Sequence, residues 1–251
     1  VARLHVLGTA GAVANAAHGH TFLAIEGESG VVLVDSGHAP VVRLARARLD
    51  IDCLQAVIAT HFHPDHVATL PCLLLSAWLP GRTTPLTVYG LPDTIERLGA
   101  MMDLYGSQAW PGFYDLRYRR VAATVGATVM ETADARITST PTRHSAPSIG
   151  VRVESLASQA AVVYSSDTEP CGNLVELARG AAILFHEATG ELWGHSGPAQ
   201  AGAIARRAGV GRLVLVHYPP ELEDRPRWVS IAAQAFGGPV ELAHDYGVYE
   251  F

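Results

Sequence analysis

The chain has no lysine. All 18 of its basic residues are arginine, which excludes a Schiff-base lysine and a phosphate-loop lysine outright. Cysteine is scarce too. Cys53, Cys72 and Cys171 are widely spaced, odd in number and form no C-x-x-C pair. They point to neither a disulfide framework nor a structural zinc knuckle, and are expected to be ordinary buried thiols. No apolar run approaches the roughly 20 residues that a membrane helix needs; Leu70 to Leu79 is interrupted by Pro71 and Ser76 and stops at Pro80. Ala12 to Ala16 imitates a signal-peptide cleavage site, but Arg3 to Gly8 alternates like a strand and there is no continuous apolar segment beside it. A cytoplasmic location without membrane contact is the expectation. Positive charge is short as well, with a formal net charge of −6, which argues against a broad nucleic-acid-binding face. The local cluster Arg117, Arg119 and Arg120 leaves a small nucleic-acid contact open, although its alternation favours a solvated strand face. There is no G-x-S-x-G elbow to present a serine nucleophile.

What the chain does have is core. Hydrophobic residues make up 49% and charged ones 17%, the balance of a well-packed globular protein. No linker, low-complexity tract or repeat divides it, so one domain over residues 1–251 is expected. Strand signals fall at 3–8, 20–26, 31–35, 55–60 and 86–90, repeatedly between 113 and 167, and again at 181–186, 212–217 and 240–250. Helical patterns fall at 39–49, 66–79, 92–105, 171–179, 198–208 and 226–236; Ser196 or Gly197 caps the fifth, with Pro198 in its first turn. Strand-rich runs interspersed with helices, without strict alternation, predict an α+β fold of packed sheets covered by helices.

The stretch that carries chemistry is His61-Phe62-His63-Pro64-Asp65-His66. It follows the apolar Ala56-Val57-Ile58-Ala59, which reads as a buried strand. Side chains at i and i+2 of a strand face the same way, so His61 and His63 point together off its end, where a cation fits between them. Asp65 and His66 follow where the chain turns into a helix and reach toward a second cation. Imidazole with carboxylate suits zinc or a similar first-row metal. Two further acid and histidine positions lie at strand ends. Asp167 follows the apolar run ending at Tyr164, where a buried carboxylate is costly unless paired or metal-bound. His217 follows Leu213 to Val216. His144, in Thr142-Arg143-His144-Ser145, reads in isolation as a structural histidine.

Taken in order, LGTAGAVANAAHGHTFLAIE with VVLVDSG, the histidine motif, RHSAPSIGVRVE, VVYSSDTEP, LFHEATGELWGHSGPAQAG and RLVLVHYPP resemble the metallo-β-lactamase superfamily over nearly the whole chain. The likeness is strongest to its ribonuclease Z branch and phosphodiesterase-like relatives. The resemblance implies a four-layered αββα sandwich with two metals at one edge of the sheets. It implies that metal one is held by His61, His63, His144 and Asp167, and metal two by Asp65, His66, Asp167 and His217, with Asp167 as bridge. Two zinc ions are expected; manganese or iron are compatible with these donors. A metal-bridging hydroxide would be the nucleophile, with Asp65 catalytic as well as a ligand. His195 would protonate the leaving group and Glu187 would orient it. Asp35 would support the site without binding metal. His20 and His38 lie in loops that reach the same edge, with substrate contact and a plain polar role both open.

The chain departs from the branch as well. Ribonuclease Z proper carries a tRNA-gripping arm inserted after the position of His144, whereas here only 22 residues separate His144 from Asp167. Thr9 to His18 has no basic residue, and Tyr218-Pro219-Pro220 is not the pattern of tRNA-processing enzymes. tRNA is therefore not expected as the substrate. Glyoxalases and lactonases of this fold show a glycine-histidine step that Arg143-His144-Ser145 lacks. The diiron flavoproteins carry glutamate where His63 stands. The resulting expectation is a dinuclear metal-dependent phosphodiesterase acting on a small molecule or short single-stranded nucleic acid, with homodimerisation left open. A lactone, carboxylic ester or sulfate ester hydrolase, and a non-catalytic metal-binding protein, are the alternatives.

Overall fold

The computed structural model of the chain describes residues 2–251. Its strands divide into two seven-stranded sheets. The first takes β1 (Arg3–Gly8), β2 (Phe22–Gly27), β3 (Gly30–Val34), β4 (Leu54–Ile58), β5 (Leu86–Gly90) and β6 (Leu116–Arg120) from the N-terminal half. The second takes β7 (Ala127–Glu131), β8 (Ala135–Pro141), β9 (Ile149–Ser155), β10 (Ala161–Tyr164), β11 (Ile183–Glu187), β12 (Arg212–Val216) and β13 (Val240–Leu242). The last strand, β14 (Gly247–Glu250), crosses back to pair with β1, Leu4 opposite Tyr249. In each sheet an antiparallel meander gives way to parallel strands. β3, β4, β5 and β6 run parallel in one, and β10, β11, β12 and β13 in the other.

Alternation along the strands sorts the core into three layers. Val32, Val34, Ala56 and Ile58 of the first sheet meet Val151, Val162, Phe185 and Val214 of the second. The opposite face of the first sheet, Leu33, Val57 and Val88, packs beneath α1 (Pro40–Arg46), α3 (Leu70–Trp78) and α4 (Pro92–Leu104). The opposite face of the second, Val163, Leu184 and Leu213, packs beneath α5 (Gly172–Ala178), α6 (Pro198–Ala208) and α7 (Arg225–Phe236). The result is the αββα sandwich. No helix among the described residues is long and apolar enough to cross a membrane.

Three local expectations need correction. The helix expected over 66–79 is two: α2 (Pro64–Val67) and α3, separated at Ala68 and Thr69. Pro71 has no N–H to give the carbonyl four residues back, so one continuous helix cannot form there. The strand expected over 240–250 is also two, β13 and β14, in different sheets. The three cysteines are not buried: Cys53 and Cys72 are exposed and Cys171 is intermediate. Cys53 closes a 3-10 turn at the entrance to β4, and Cys72 lies on the face of α3 opposite Leu70, Leu73, Leu74 and Ala77. Arg117, Arg119 and Arg120 do form an exposed edge of β6.

Candidate metal centre

Both sheets place the C-terminal ends of their parallel strands at one edge, and the candidate residues hang from those ends. His61, His63, Asp65 and His66 follow β4. Asp35 follows β3, Asp167 follows β10, Glu187 ends β11 and His217 follows β12. His144 comes from the loop between β8 and β9. Asp35, Ser166 and His217 have φ of 67°, 53° and 49°, a left-handed region that costs a residue with a side chain about 1–2 kcal/mol. All three lie within two residues of a strand end at this edge, so this strain falls where the side chains must turn toward one another.

Two groups of potential ligand atoms result: His61, His63, His144 and Asp167, and Asp65, His66, Asp167 and His217. Within each, the atoms lie within 4.8 Å of one another. The hydrogen bonds behind the rings fix which nitrogen faces inward. Thr60 Oγ1 donates to Asp35 Oδ2 at 2.9 Å and accepts from His61 Nδ1 at 3.1 Å. His66 Nδ1 donates to Asp35 Oδ2 at 2.8 Å, and His144 Nδ1 to the Gly194 carbonyl at 2.7 Å. Thr189 Oγ1 donates to the His217 carbonyl and accepts from His217 Nδ1, both at 2.9 Å. Four Nε2 lone pairs are thereby aimed inward, the arrangement outer hydrogen bonds impose on metal-bound imidazoles. His63 alone presents Nδ1, 3.1 Å from Nε2 of both His61 and His144.

Asp167 connects the groups. Its Oδ1 lies 3.5 Å from His66 Nε2 and 3.3 Å from His217 Nε2, while Oδ2 lies 3.8 Å from His61 Nε2 and 3.9 Å from His144 Nε2. Asp65 Oδ2 completes the second group, 3.4 Å from His66 Nε2 and 3.3 Å from His217 Nε2. His66 Nε2 and Asp167 Oδ1 are buried without a hydrogen-bond partner among the described residues. Leaving such atoms unsatisfied costs about 1–3 kcal/mol or more each, and a shared cation removes that cost. The residues present therefore fit a metal pair by donor type, by lone-pair direction and by their unsatisfied atoms.

The charges respond to this crowding. Burial drives His61 well below the ordinary imidazole range, with neighbouring His66 adding to the effect. Burial opposes the charged form of His66 too, but Asp167 and Asp35 outweigh it and hold that ring well above the ordinary value. Burial likewise works against ionised Asp65, and the adjacent His217 and His66 rings overcome it, keeping the carboxylate below its usual range.

Beside the two groups stands His195, whose side chain is 20% exposed. Its Nδ1 donates to Glu187 Oε1 at 3.1 Å, which leaves Nε2 free. Burial works against the charged ring, but the hydrogen bond and charge of Glu187 outweigh it and raise the pKa above the ordinary imidazole value. Glu187 is fully buried and also accepts the N–H groups of Thr168, Thr189 and Ser196 at 2.9–3.1 Å. Such saturation suits an anchoring carboxylate better than a third metal ligand, although Glu187, His195 and His217 also converge. His20 is half-buried and His38 exposed, their rings edge to face at 6.1 Å, outside both ligand groups.

Thr60, Thr189 and Gly194 were not legible as site residues. Gly194 has φ 83°, and a Cβ there would lie 2.9 Å from His144 Nδ1. Only the threonine ending His186-Glu187-Ala188-Thr189 offered a signal, since a hydroxyl two residues beyond the acid returns to the same edge.

Comparison with known proteins agrees with this architecture. The pattern of the beta-lactamase superfamily domain matches residues 31–218. Ribonuclease Z of Mycobacterium marinum is 34% identical, with 86% of each chain covered. Ribonuclease Z of Mycobacterium sp. strain KMS is 32% identical over 96% of this chain and 93% of that one. Among solved structures, the metallo-beta-lactamase fold protein YhfI of Bacillus subtilis superposes with a TM-score of 0.83 at 22% identity, covering 99% of this chain and 98% of that one. The short form of human tRNase Z gives 0.80 at 22% identity with the same coverage, a likeness of fold. The chain belongs to the metallo-β-lactamase superfamily, near ribonuclease Z, and is a metal-dependent hydrolase.

Proposed function

We propose that this protein is a dinuclear metal-dependent phosphodiesterase acting on a small or single-stranded substrate, with zinc as the resident metal. The observation that carries the reading is Asp167, whose two oxygens face two separate groups of histidine lone pairs. His61, His63 and His144 would hold one ion with Asp167, and Asp65, His66 and His217 the other. When bound, such a pair supplies a water acidic enough to attack near neutral pH and offsets charge on the phosphoryl oxygens. The protein's own part is position and proton transfer. Asp65, kept ionised, accepts a hydrogen bond from the attacking water and so orients it. His195, whose charged form Glu187 favours, presents Nε2 to the leaving oxygen and gives it the proton. Glu187 holds that ring through Nδ1 and is itself held by three backbone N–H groups.

The relatives named ribonuclease Z favour an RNA phosphodiester as one substrate to test. Between β9 and β10 the chain makes only a short turn at residues 156–160, so no arm for gripping a folded tRNA is inserted there. That favours a short strand or small diester over whole tRNA. The test is a panel of phosphodiesters, lactones, carboxylic esters and sulfate esters, with tRNA precursors included, assayed on wild type and His195→Ala. Phosphodiesters should be cleaved fastest. His195→Ala should keep its metals yet lose about 10²–10⁴-fold on alkoxide leaving groups, and far less on nitrophenolate, which leaves without a proton. Preference for a lactone or ester would overturn the substrate class. Equal losses on both leaving groups would overturn the role of His195.

A further inference from the structure

The loop from Gly190 to Ser196 carries His195 and is closed on itself. Gly190 N–H donates to the Ser196 carbonyl at 3.0 Å, and His195 N–H to the Leu192 carbonyl at 3.0 Å. With Gly194 at φ 83°, the second bond fits a turn that needs glycine at its third position and places Trp193 at its second, the outer corner. The turn is tied to the candidate site from both sides. Its Gly194 N–H donates to Glu169 Oε1 at 3.0 Å, and its Gly194 carbonyl accepts from His144 Nδ1.

At that corner Trp193 is 80% exposed. The other tryptophans are packed: Trp78 and Trp110 stack at 5.1 Å, and Trp228 on α7 packs, partly buried, against the core. A hydrogen-bonded corner thus holds a large flat ring in water, two residues from the proposed proton donor. Two residues span at most about 7 Å of chain, so the turn keeps the backbone of Trp193 within that distance of the proposed proton donor. Charge on this rim is already used or negative. Arg143 pairs with Glu169 at 2.7 Å, and Glu191 is exposed. Beside Glu169 and Glu191 a phosphate chain would be disfavoured, whereas an uncharged planar group would find a face to stack on.

We infer that Trp193 is a stacking platform for the nucleobase of the leaving nucleoside, which makes the substrate a nucleoside phosphodiester. The inference rests on the phosphodiesterase reading and narrows it. Loss of one base–aromatic stack on alanine substitution is worth on the order of 10- to 100-fold in affinity.

The experiment compares a diribonucleoside monophosphate with its analogue lacking the leaving-side base, on metal-loaded wild type, Trp193→Ala and Trp193→Phe. In wild type the base-bearing substrate should have a KM lower by about 10- to 100-fold. In Trp193→Ala that ratio should fall toward one through KM, with kcat largely kept, and Trp193→Phe should restore most of it. Metal content equal to wild type excludes a folding loss as the cause. An unchanged KM ratio in Trp193→Ala would overturn the platform while leaving the phosphodiesterase reading in place. Failure of wild type to cleave either diester, with turnover of a lactone or ester, would overturn both.

Discussion

The two ligand groups are chemically alike but are built differently. Every residue of the second group is buried or nearly so. His66 and His217 are braced by Asp35 and Thr189, side chains that lie beside strand ends. The first group includes half-buried His63, whose Nε2 makes no protein hydrogen bond among the described residues. Its His144 hangs from a backbone carbonyl on the loop that also carries Trp193 and His195. One group is set by the frame of the sandwich and the other leans on a surface loop. Local stability follows buried contacts, so the first group should be the more easily emptied and reshaped.

Asp167 is the residue both groups share, and removing it should erase the contrast. If the proposed pair is bound, Asp167→Ala would withdraw a ligand from each ion at once, so the loss of metal affinity should exceed the roughly 10–100-fold typical of an outer partner. Metal analysis after dialysis against a weak chelator should find both ions depleted, with activity close to background. Retention of one full equivalent would show that Asp167 serves a single group.

How much of this was legible in the chain depended on how the information is stored. The motif from His61 to His66 is local, and strand and helix geometry alone bring its side chains together. The central strands were legible for the same reason, since Val32, Val57 and Val214 belong to plainly apolar runs. His144, Asp167 and His217 are brought to that motif only by the packing of two sheets; Asp167 and His217 stood out at the ends of apolar runs, but only family likeness pointed to His144 and to how the three assemble. The left-handed turns at Asp35 and His217 and the corner at Gly194 carry no such signal, because they depend on contacts 25 to 50 residues distant along the chain. Cys72 was misjudged because thiols are commonly buried, while the phase of α3 fixed by Leu70, Leu73 and Leu74 turns it outward.

Asp35 offers a way to invert the contrast. It accepts His66 Nδ1, Thr60 Oγ1 and the Thr60 N–H, so Asp35→Ala releases the ring of the second group outright and loosens His61 only through Thr60. Affinity at the second group should fall about 10–100-fold, making it the weaker of the two. Titration of the apoprotein should then show the first equivalent binding nearly as in wild type and the second displaced. Equal weakening of both equivalents would mean that Thr60, not His66, is the main route by which Asp35 acts.

Gly194 should widen the contrast, with the smallest effect of the three. Alanine at φ 83° is strained by about 1–2 kcal/mol, and its Cβ would stand 2.9 Å from His144 Nδ1 and 3.2 Å from Ser145 N. The imidazole cannot recede far, because its side chain is only 1% exposed and packed against His61, His63 and His195. The exposed loop gives way instead, lengthening the bond from His144 Nδ1 to the Gly194 carbonyl. Metal affinity at the first group should drop by about tenfold, the lower end for loss of an outer partner, with the second group unaffected. Because His195 follows directly, turnover on alkoxide leaving groups should fall with it even at saturating metal. Rates restored fully by added metal would place the whole effect at His144 and none at the proposed proton donor.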